Sequence, residues 1–172
     1  MERELGPTFL PLPMTNDSLR PLVADGLRAL KGGGRQAADA AGDVYDAATH
    51  PDLKRALERG QETSKEWRAR VDRAMDALGV DGENENPVIE AAYEVSRKSR
   101  ESAEGDDARD LGIIAAGQIA LHYWVAAFGT LGSYLKALGE SDAAETMSRC
   151  VDEAKKADQE HTAIAEAILG DA

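Results

Sequence analysis

The sequence predicts an all-α fold of four long helices and one shorter helix, on three observations. The segment from Leu111 to Leu135 contains no Asp, Glu, Lys or Arg, although 30% of the chain is charged. A central helix, buried almost all round, is expected there. Other long segments place apolar residues at helical spacing, and none alternates with the period of two that strands show. Aromatic residues are only 5% of the chain, so alanine and leucine must fill the core, as they do in helices.

The first 15 residues are expected to form an extended arm. Three prolines lie among the apolar side chains around Phe9 to Met14, and proline disrupts helices. Such an arm is expected to lie in a groove on its own or a partner subunit, and a disordered tail is the alternative. The helical bundle domain is then expected to cover residues 16–170.

Helix one is expected to begin at a cap from Asn16, Asp17 or Ser18 and to run to about Ala48. Its interior holds three consecutive glycines, Gly32 to Gly34, each costing about 1 kcal/mol relative to alanine. The triplet either breaks the helix or lets a Trp ring from a facing helix approach closely. We predict the second arrangement, a continuous but weakened helix.

The remaining four helices are separated by short breaks. Prolines that open helices and glycines that end them set most of these limits. The predicted elements are helix two from Asp52 to about Leu78, opened by Pro51; a polar loop, Gly79 to Pro87; helix three from Pro87 to near Glu104; helix four, the uncharged segment, ending by Leu138–Gly139; and helix five from Asp142, after Ser141 as its N-cap, to about Leu169.

The acidic composition argues against binding to nucleic acids or to anionic membranes. A net charge of -12 and a pI near 4.7, without a basic patch, argue against nucleic-acid binding and against anionic membrane surfaces. The uncharged segment is long enough to span a bilayer, but Gln118 and His122 in its middle favour a soluble bundle instead. The one cysteine, Cys150, is expected to be a buried structural thiol. With no recognisable signal peptide, a cytoplasmic location is expected.

Four stretches, taken in order, resemble one protein family. They are LRALKGGGRQ (27–36), AATHPDLK (47–54), RDLGIIAAGQIALHYWVAAFGT (109–130) and EAKKAD (153–158). Their sequences and intervals, over roughly residues 18–168, resemble the YciF-type ferritin-like family of bacterial stress proteins. The resemblance implies a four-helix bundle with a carboxylate- and histidine-ligated di-metal site between the helices.

Most positions that the resemblance assigns to metal ligands hold no ligand here. The six replaced positions are Gly34, Gly60, Thr63, Leu121, Trp124 and Ala154, whereas His122, Glu153 and Asp158 match the family pattern. Two buried cations would remain uncompensated with so few ligands. We therefore expect an apolar relic of the site, no di-iron centre, no ferroxidase activity and no cofactor. The rings of Trp124 and Trp67, with Leu121, are expected to fill the vacated space, Trp124 packing against Gly34 or Gly60.

A small group of polar residues remains as a weaker metal candidate. His122, Glu153, Asp158 and His161 could form a mononuclear site, since Asp158 and His161 share one face of helix five. Metal binding needs three or four ligands in tight geometry. The favoured alternative is a buried His122 hydrogen-bonded to Glu153 or to a backbone carbonyl.

Three functions are compatible with these features, because a fold alone does not specify one. The first is a non-catalytic bundle with a structural or protein-binding role, as a homodimer and in a stress response. The second is a small-molecule binder that uses the vacated centre. The third is a metal-binding or ferroxidase-like enzyme with a site rebuilt around His122. A cavity of several hundred Å³ would favour the second, and a filled core the first.

Overall fold

The computed structural model describes residues 16–170, which form five helices and no strand. The helices are α1 Asn16–Ala47, α2 Pro51–Leu78, α3 Pro87–Ser102, α4 Asp106–Ala137 and α5 Ser141–Gly170. The all-α prediction is confirmed, with α3 as the short helix. The arm expected for residues 1–15 lies outside the described residues.

The four long helices form a bundle in which each helix packs against two neighbours and faces the remaining one across the centre. α1 and α5 each pack against both α2 and α4, so α2 and α4 face each other across the centre. α3 packs against α1 and α4 on the outside. Two apolar clusters hold the bundle. One contains Leu27, Trp67 and Phe128, and the other contains Val44 and Ile113.

Proline, asparagine and glycine set the limits of α2 and α3. Pro51 and Pro87 are the first residues of these helices, where a missing backbone N–H costs nothing. The Asn86 side chain accepts a hydrogen bond from the backbone N–H of Ile89 and so caps α3. α2 ends at Leu78, and the next residue, Gly79, caps it with a left-handed φ of 64°. α3 ends at Ser102, two residues before the predicted limit.

α1 continues through its three glycines, as predicted. A Cβ on Gly32 would lie 1.8 Å from the backbone oxygen of Asn84, in the loop before α3. A Cβ on Gly33 would lie 3.0 Å from Cη2 of Trp124. The glycines therefore allow a loop and an indole ring to approach the helix backbone.

The expected partner of Trp124 is wrong in detail. Its ring approaches Gly33, not Gly34 or Gly60. Gly34 is covered by Arg68, whose Cγ would lie 2.8 Å from an added Cβ, and no atom lies within 4 Å of such a Cβ on Gly60. Adjacent positions on a helix point about 100° apart, so sequence comparison alone could not decide which glycine faces the ring.

The connection between α1 and α2 is anchored by Asp110, a buried residue of α4. Its carboxylate accepts hydrogen bonds from the backbone N–H groups of Thr49 (2.9 Å) and His50 (2.7 Å), and from the Thr49 hydroxyl (2.7 Å). Three donors compensate the cost of burying this charge. Two of the stretches that carry the family resemblance therefore meet in space through these hydrogen bonds.

α4 is not buried all round, and that expectation is wrong. It meets the length and composition of a membrane-spanning helix, but only 28% of its most apolar window is buried. One stripe of the helix is exposed, and we call it the α4 stripe. It comprises Ala115, Ile119, His122, Ala126, Thr130 and Ser133. These side chains are mostly small or weakly polar, so the absence of charge does not require burial.

Candidate functional site

A cavity of about 680 Å³ occupies the centre of the bundle. All five helices contribute to its wall, and many of the contributing residues are alanines or glycines: Ala37, Ala41, Ala56, Ala92, Ala116, Ala120, Gly60 and Gly117. Small side chains that face one another leave space that no neighbour fills. The volume lies within the range of about 300–1,000 Å³ in which proteins bind small molecules.

Four of the six replaced ligand positions line this cavity: Gly60, Thr63, Leu121 and Trp124. Gly34 lies beside it, under Arg68. Ala154 is fully buried in the neighbouring apolar cluster. The positions that the resemblance assigns to one site are therefore mostly gathered around one space, which in this chain is an apolar cavity.

Aromatic rings close one end of the cavity. The ring of Trp67 lies 6.1 Å from Trp124 and 5.3 Å from Phe128, and Trp124 stacks on Phe128 at 5.6 Å. The expectation that tryptophan and leucine side chains fill the vacated space holds only at this end. Beyond the rings the facing residues are too small to meet, so the remaining volume stays open.

Glu153 lines the cavity, but both of its oxygens are engaged. The Trp67 indole N–H donates to Oε2 (2.7 Å), and Arg70 donates to both oxygens (2.5 and 3.0 Å). Burial acts to raise the pKa of Glu153, but the hydrogen bonds from Arg70 and Trp67 outweigh it, so the pKa is lowered. Glu153 is thus an ionised structural group with little capacity left for a metal ion.

The prediction of a buried His122, hydrogen-bonded to Glu153 or to a backbone carbonyl, is wrong. His122 belongs to the exposed α4 stripe, with 72% of its side chain accessible, and its Nε2 lies 3.3 Å from Asp158 Oδ2. His161 instead is buried and lines the cavity, and its Nδ1 donates to the Ala157 carbonyl (2.9 Å). The four metal candidates therefore do not converge on one point: His122 and Asp158 contact each other, whereas Glu153 is bound by Arg70 and His161 lines the cavity. No group of three or more His, Cys, Asp or Glu side chains suited to a metal occurs within residues 16–170.

Cys150 is fully buried in the larger apolar cluster, as expected for a structural thiol. Burial raises the pKa of its thiol, and the nearby Arg70 guanidinium only partly offsets this. A thiol that stays protonated is a poor nucleophile.

Sequence reasoning missed the polar residues of the cavity wall. Arg68 lines the cavity, and its Nε is buried with no hydrogen-bond partner among the described residues. Tyr93 also lines it, and burial raises the pKa of its phenol to about 12. One signal for Arg68 was available, because Gly60, Ser64 and Arg68 follow each other at intervals of four and share one face of a helix.

Comparison with known families matches residues 18–172 to the family described as Domain of unknown function (DUF892). The chain belongs to this family. Protein YciF of Escherichia coli strain K12 is 33% identical to it over 78 residues, which are 45% of this chain and 47% of YciF. The aligned region thus spans about half the length of that relative.

Two solved structures show the same YciF-type fold. The E. coli stress protein YciF superposes with a TM-score of 0.84 at 23% identity, over 88% of this chain and 97% of its own. YcfI from Rhodopseudomonas palustris is described as a protein with a suggested structural role. It superposes with a TM-score of 0.80 at 23% identity, over 90% of this chain and 98% of its own. These similarities confirm the ferritin-like helical fold.

Proposed function

We propose that this YciF-type protein is a non-catalytic, metal-free bundle that binds an apolar small molecule in its central cavity. The observation that carries the proposal is the cavity of about 680 Å³, lined by four of the six positions where the family resemblance implies metal ligands. The wall is largely apolar, as in most small-molecule sites. That the protein acts in a stress response and that it is located in the cytoplasm both remain predictions from the sequence.

The charges around the cavity argue against a di-metal centre. A pair of divalent cations needs several free carboxylates facing inward. The two carboxylates of the wall are Glu153, bound by Arg70, and Glu160, bound by Arg59. Freeing either one would leave an arginine without its partner. Both ion pairs would therefore have to break before the wall could supply two carboxylates to a metal pair.

Both tryptophans of the chain, Trp67 and Trp124, line the cavity, so intrinsic fluorescence reports its occupancy. We expect the neutral fluorophore N-phenyl-1-naphthylamine to bind saturably and to quench the tryptophan emission. Gly60→Leu should weaken this binding, because the added side chain occupies part of the cavity. Gly42→Leu is the matched control, because Gly42 also lies inside a helix with no atom within 4 Å of an added Cβ but does not line the cavity.

Equal loss of probe binding in both variants, or no saturable binding by the wild type, would overturn the small-molecule proposal. The metal-free part has its own test, metal analysis and ferrous-iron oxidation of purified protein. We expect no bound iron pair and oxidation no faster than in buffer. Trp124→Glu alone should not restore iron binding, because the other five positions stay without ligands.

We also propose that the protein is a homodimer, joined through the α4 stripe. The stripe runs about 27 Å from Ala115 to Ser133 at 1.5 Å per residue and contains no charged residue apart from the ionisable His122. Two copies that each carry a charge of -12 repel least along an uncharged surface. Ile119, its largest apolar residue, is 52% exposed.

Light scattering tests the dimer. The wild type should have the mass of two chains, and Ile119→Lys should convert it to one chain. Leu22→Lys is the control, since Leu22 is almost equally exposed, at 51%, but lies on α1. A wild type that stays monomeric at high micromolar concentration would contradict the dimer.

A further inference from the structure

The cavity wall carries more positive than negative charge, although the whole chain is acidic. Its charged side chains are Arg59, Lys65, Arg68, Lys156, Glu153 and Glu160. Four cationic groups therefore face two carboxylates, in a chain whose net charge is -12. The excess is local, and solvent ions screen the rest of the chain beyond about 8 Å at physiological salt.

Ion pairs within the protein account for only part of this excess. Arg59 is paired with Glu160, and Lys65 with Glu62. Arg68 and Lys156 make no ion pair with any residue in the part of the chain that the structure describes. Lys156 is exposed, so water can solvate it. Arg68 is only partly exposed, and its buried Nε has no hydrogen-bond partner among the described residues.

Arg68 is held in place by its surroundings. Its Cγ and Cδ lie where a side chain on residue 34 would begin, at 2.8 and 3.2 Å from an added Cβ. Its Nε is buried and has no hydrogen-bond partner within residues 16–170. A guanidinium cannot lose its proton in a protein, and a buried donor without an acceptor is destabilising. Arg68 is therefore a fixed cation beside the aromatic end of the cavity, with unused donor capacity.

Two further polar groups of the wall, Tyr93 and His161, add hydrogen-bonding capacity. Tyr93 lines the cavity and donates to no acceptor in the described residues. His161 uses Nδ1 to bind the Ala157 carbonyl (2.9 Å), and its Nε2 lies near Gly117, another residue of the wall. A ligand with a polar head and an apolar body fits such a lining better than a pure hydrocarbon does.

We propose that the ligand is an apolar carboxylic acid, with its hydrocarbon body in the alanine-rich cavity and its carboxylate on the Arg68 guanidinium. This inference rests on the proposed small-molecule function and names its ligand class. Guanidinium and carboxylate form two parallel hydrogen bonds. One carboxylate is enough to pair with the Arg68 guanidinium, and Lys156, the other unpaired cation of the wall, is exposed to water.

The test is displacement of N-phenyl-1-naphthylamine by decanoic acid and by decan-1-ol, which have equal carbon chains. For the wild type we expect the carboxylate to displace the probe at a concentration at least tenfold lower than the alcohol. Arg68→Met keeps the apolar stem but removes the charge, and should bring the ratio close to one. Arg73→Met is the control, because Arg73 is an exposed residue of α2 that does not line the cavity.

Each outcome separates this inference from the proposed function. If the neutral probe binds but acid and alcohol displace it equally, the ligand class is wrong and the small-molecule function stands. If the acid preference persists in Arg68→Met, the assignment of Arg68 is wrong. If the probe does not bind the wild type, the proposed function itself fails. The wild-type ratio decides the ligand class even where Arg68→Met does not fold.

Discussion

The glycines of the bundle provide a test in which one substitution has opposite effects at different positions. Gly32, Gly42 and Gly60 all lie inside long helices, and replacing glycine by alanine in a helix gains about 1 kcal/mol. An added Cβ meets no atom within 4 Å at Gly42 or Gly60, but at Gly32 it would lie 1.8 Å from the backbone oxygen of Asn84.

The magnitudes follow from these contacts. Gly42→Ala and Gly60→Ala should each raise the free energy of unfolding by about 0.5–1 kcal/mol. Gly32→Ala must displace a backbone carbonyl, and the backbone N–H of Asn84 is bonded to the Arg28 carbonyl (3.1 Å). Overpacking of this kind costs about 1–3 kcal/mol, and loss of that hydrogen bond adds about 1 kcal/mol. After subtracting the gain in helix propensity, we expect Gly32→Ala to lower the free energy of unfolding by about 1–3 kcal/mol.

Thermal and urea unfolding of the three variants measure this difference. At about 2–4 °C per kcal/mol for a chain of this size, Gly32→Ala should melt about 2–12 °C below the wild type. Gly42→Ala and Gly60→Ala should melt about 1–4 °C above it. If Gly32→Ala were stabilised like the other two, the loop before α3 would not be held against α1. The close approach that explains the glycine triplet would then be refuted.

Three further predictions concern single side chains. Trp124→Ala should lower the free energy of unfolding by about 3–5 kcal/mol in urea titrations, because a buried ring is removed; a loss under 1 kcal/mol would show that the ring is not packed. Glu153, whose pKa is lowered by Arg70 and Trp67 despite its burial, should stabilise the fold above about pH 4.5, its unfolded-state value, and lose this effect as the pH falls through its folded pKa. The stability difference between wild type and Glu153→Gln should therefore shrink at acidic pH, and a pH-independent difference would contradict the ion pair. Asp110→Asn should cost about 1.5–3 kcal/mol, the value of a hydrogen bond to a charged group, and an unchanged melting temperature would show that its buried carboxylate does not anchor the connection between α1 and α2.

The fold was predictable because its signals are local. Apolar spacing, the absence of strand alternation and the positions of Pro51, Pro87 and Gly79 specify helices and their limits within a few residues. The order of four short stretches was enough to indicate the family, which the comparisons confirm. The lack of ligand side chains at Gly34, Gly60 and Ala154, positions that the resemblance assigns to a metal site, could also be read directly, since a glycine or alanine cannot bind a metal through its side chain.

Only the tertiary structure decided what lies between the helices at these positions. Whether the vacated centre was filled or open depended on how far the rings of Trp67 and Trp124 reach across the bundle, and they reach only one end. The exposure of His122 depended on the rotation of α4 about its axis, which packing against three other helices sets. The uncompensated charge of Arg68 emerged only once its neighbours were known. Composition and spacing are properties of single segments, whereas cavities, exposure and charge balance depend on distances between segments far apart in the chain.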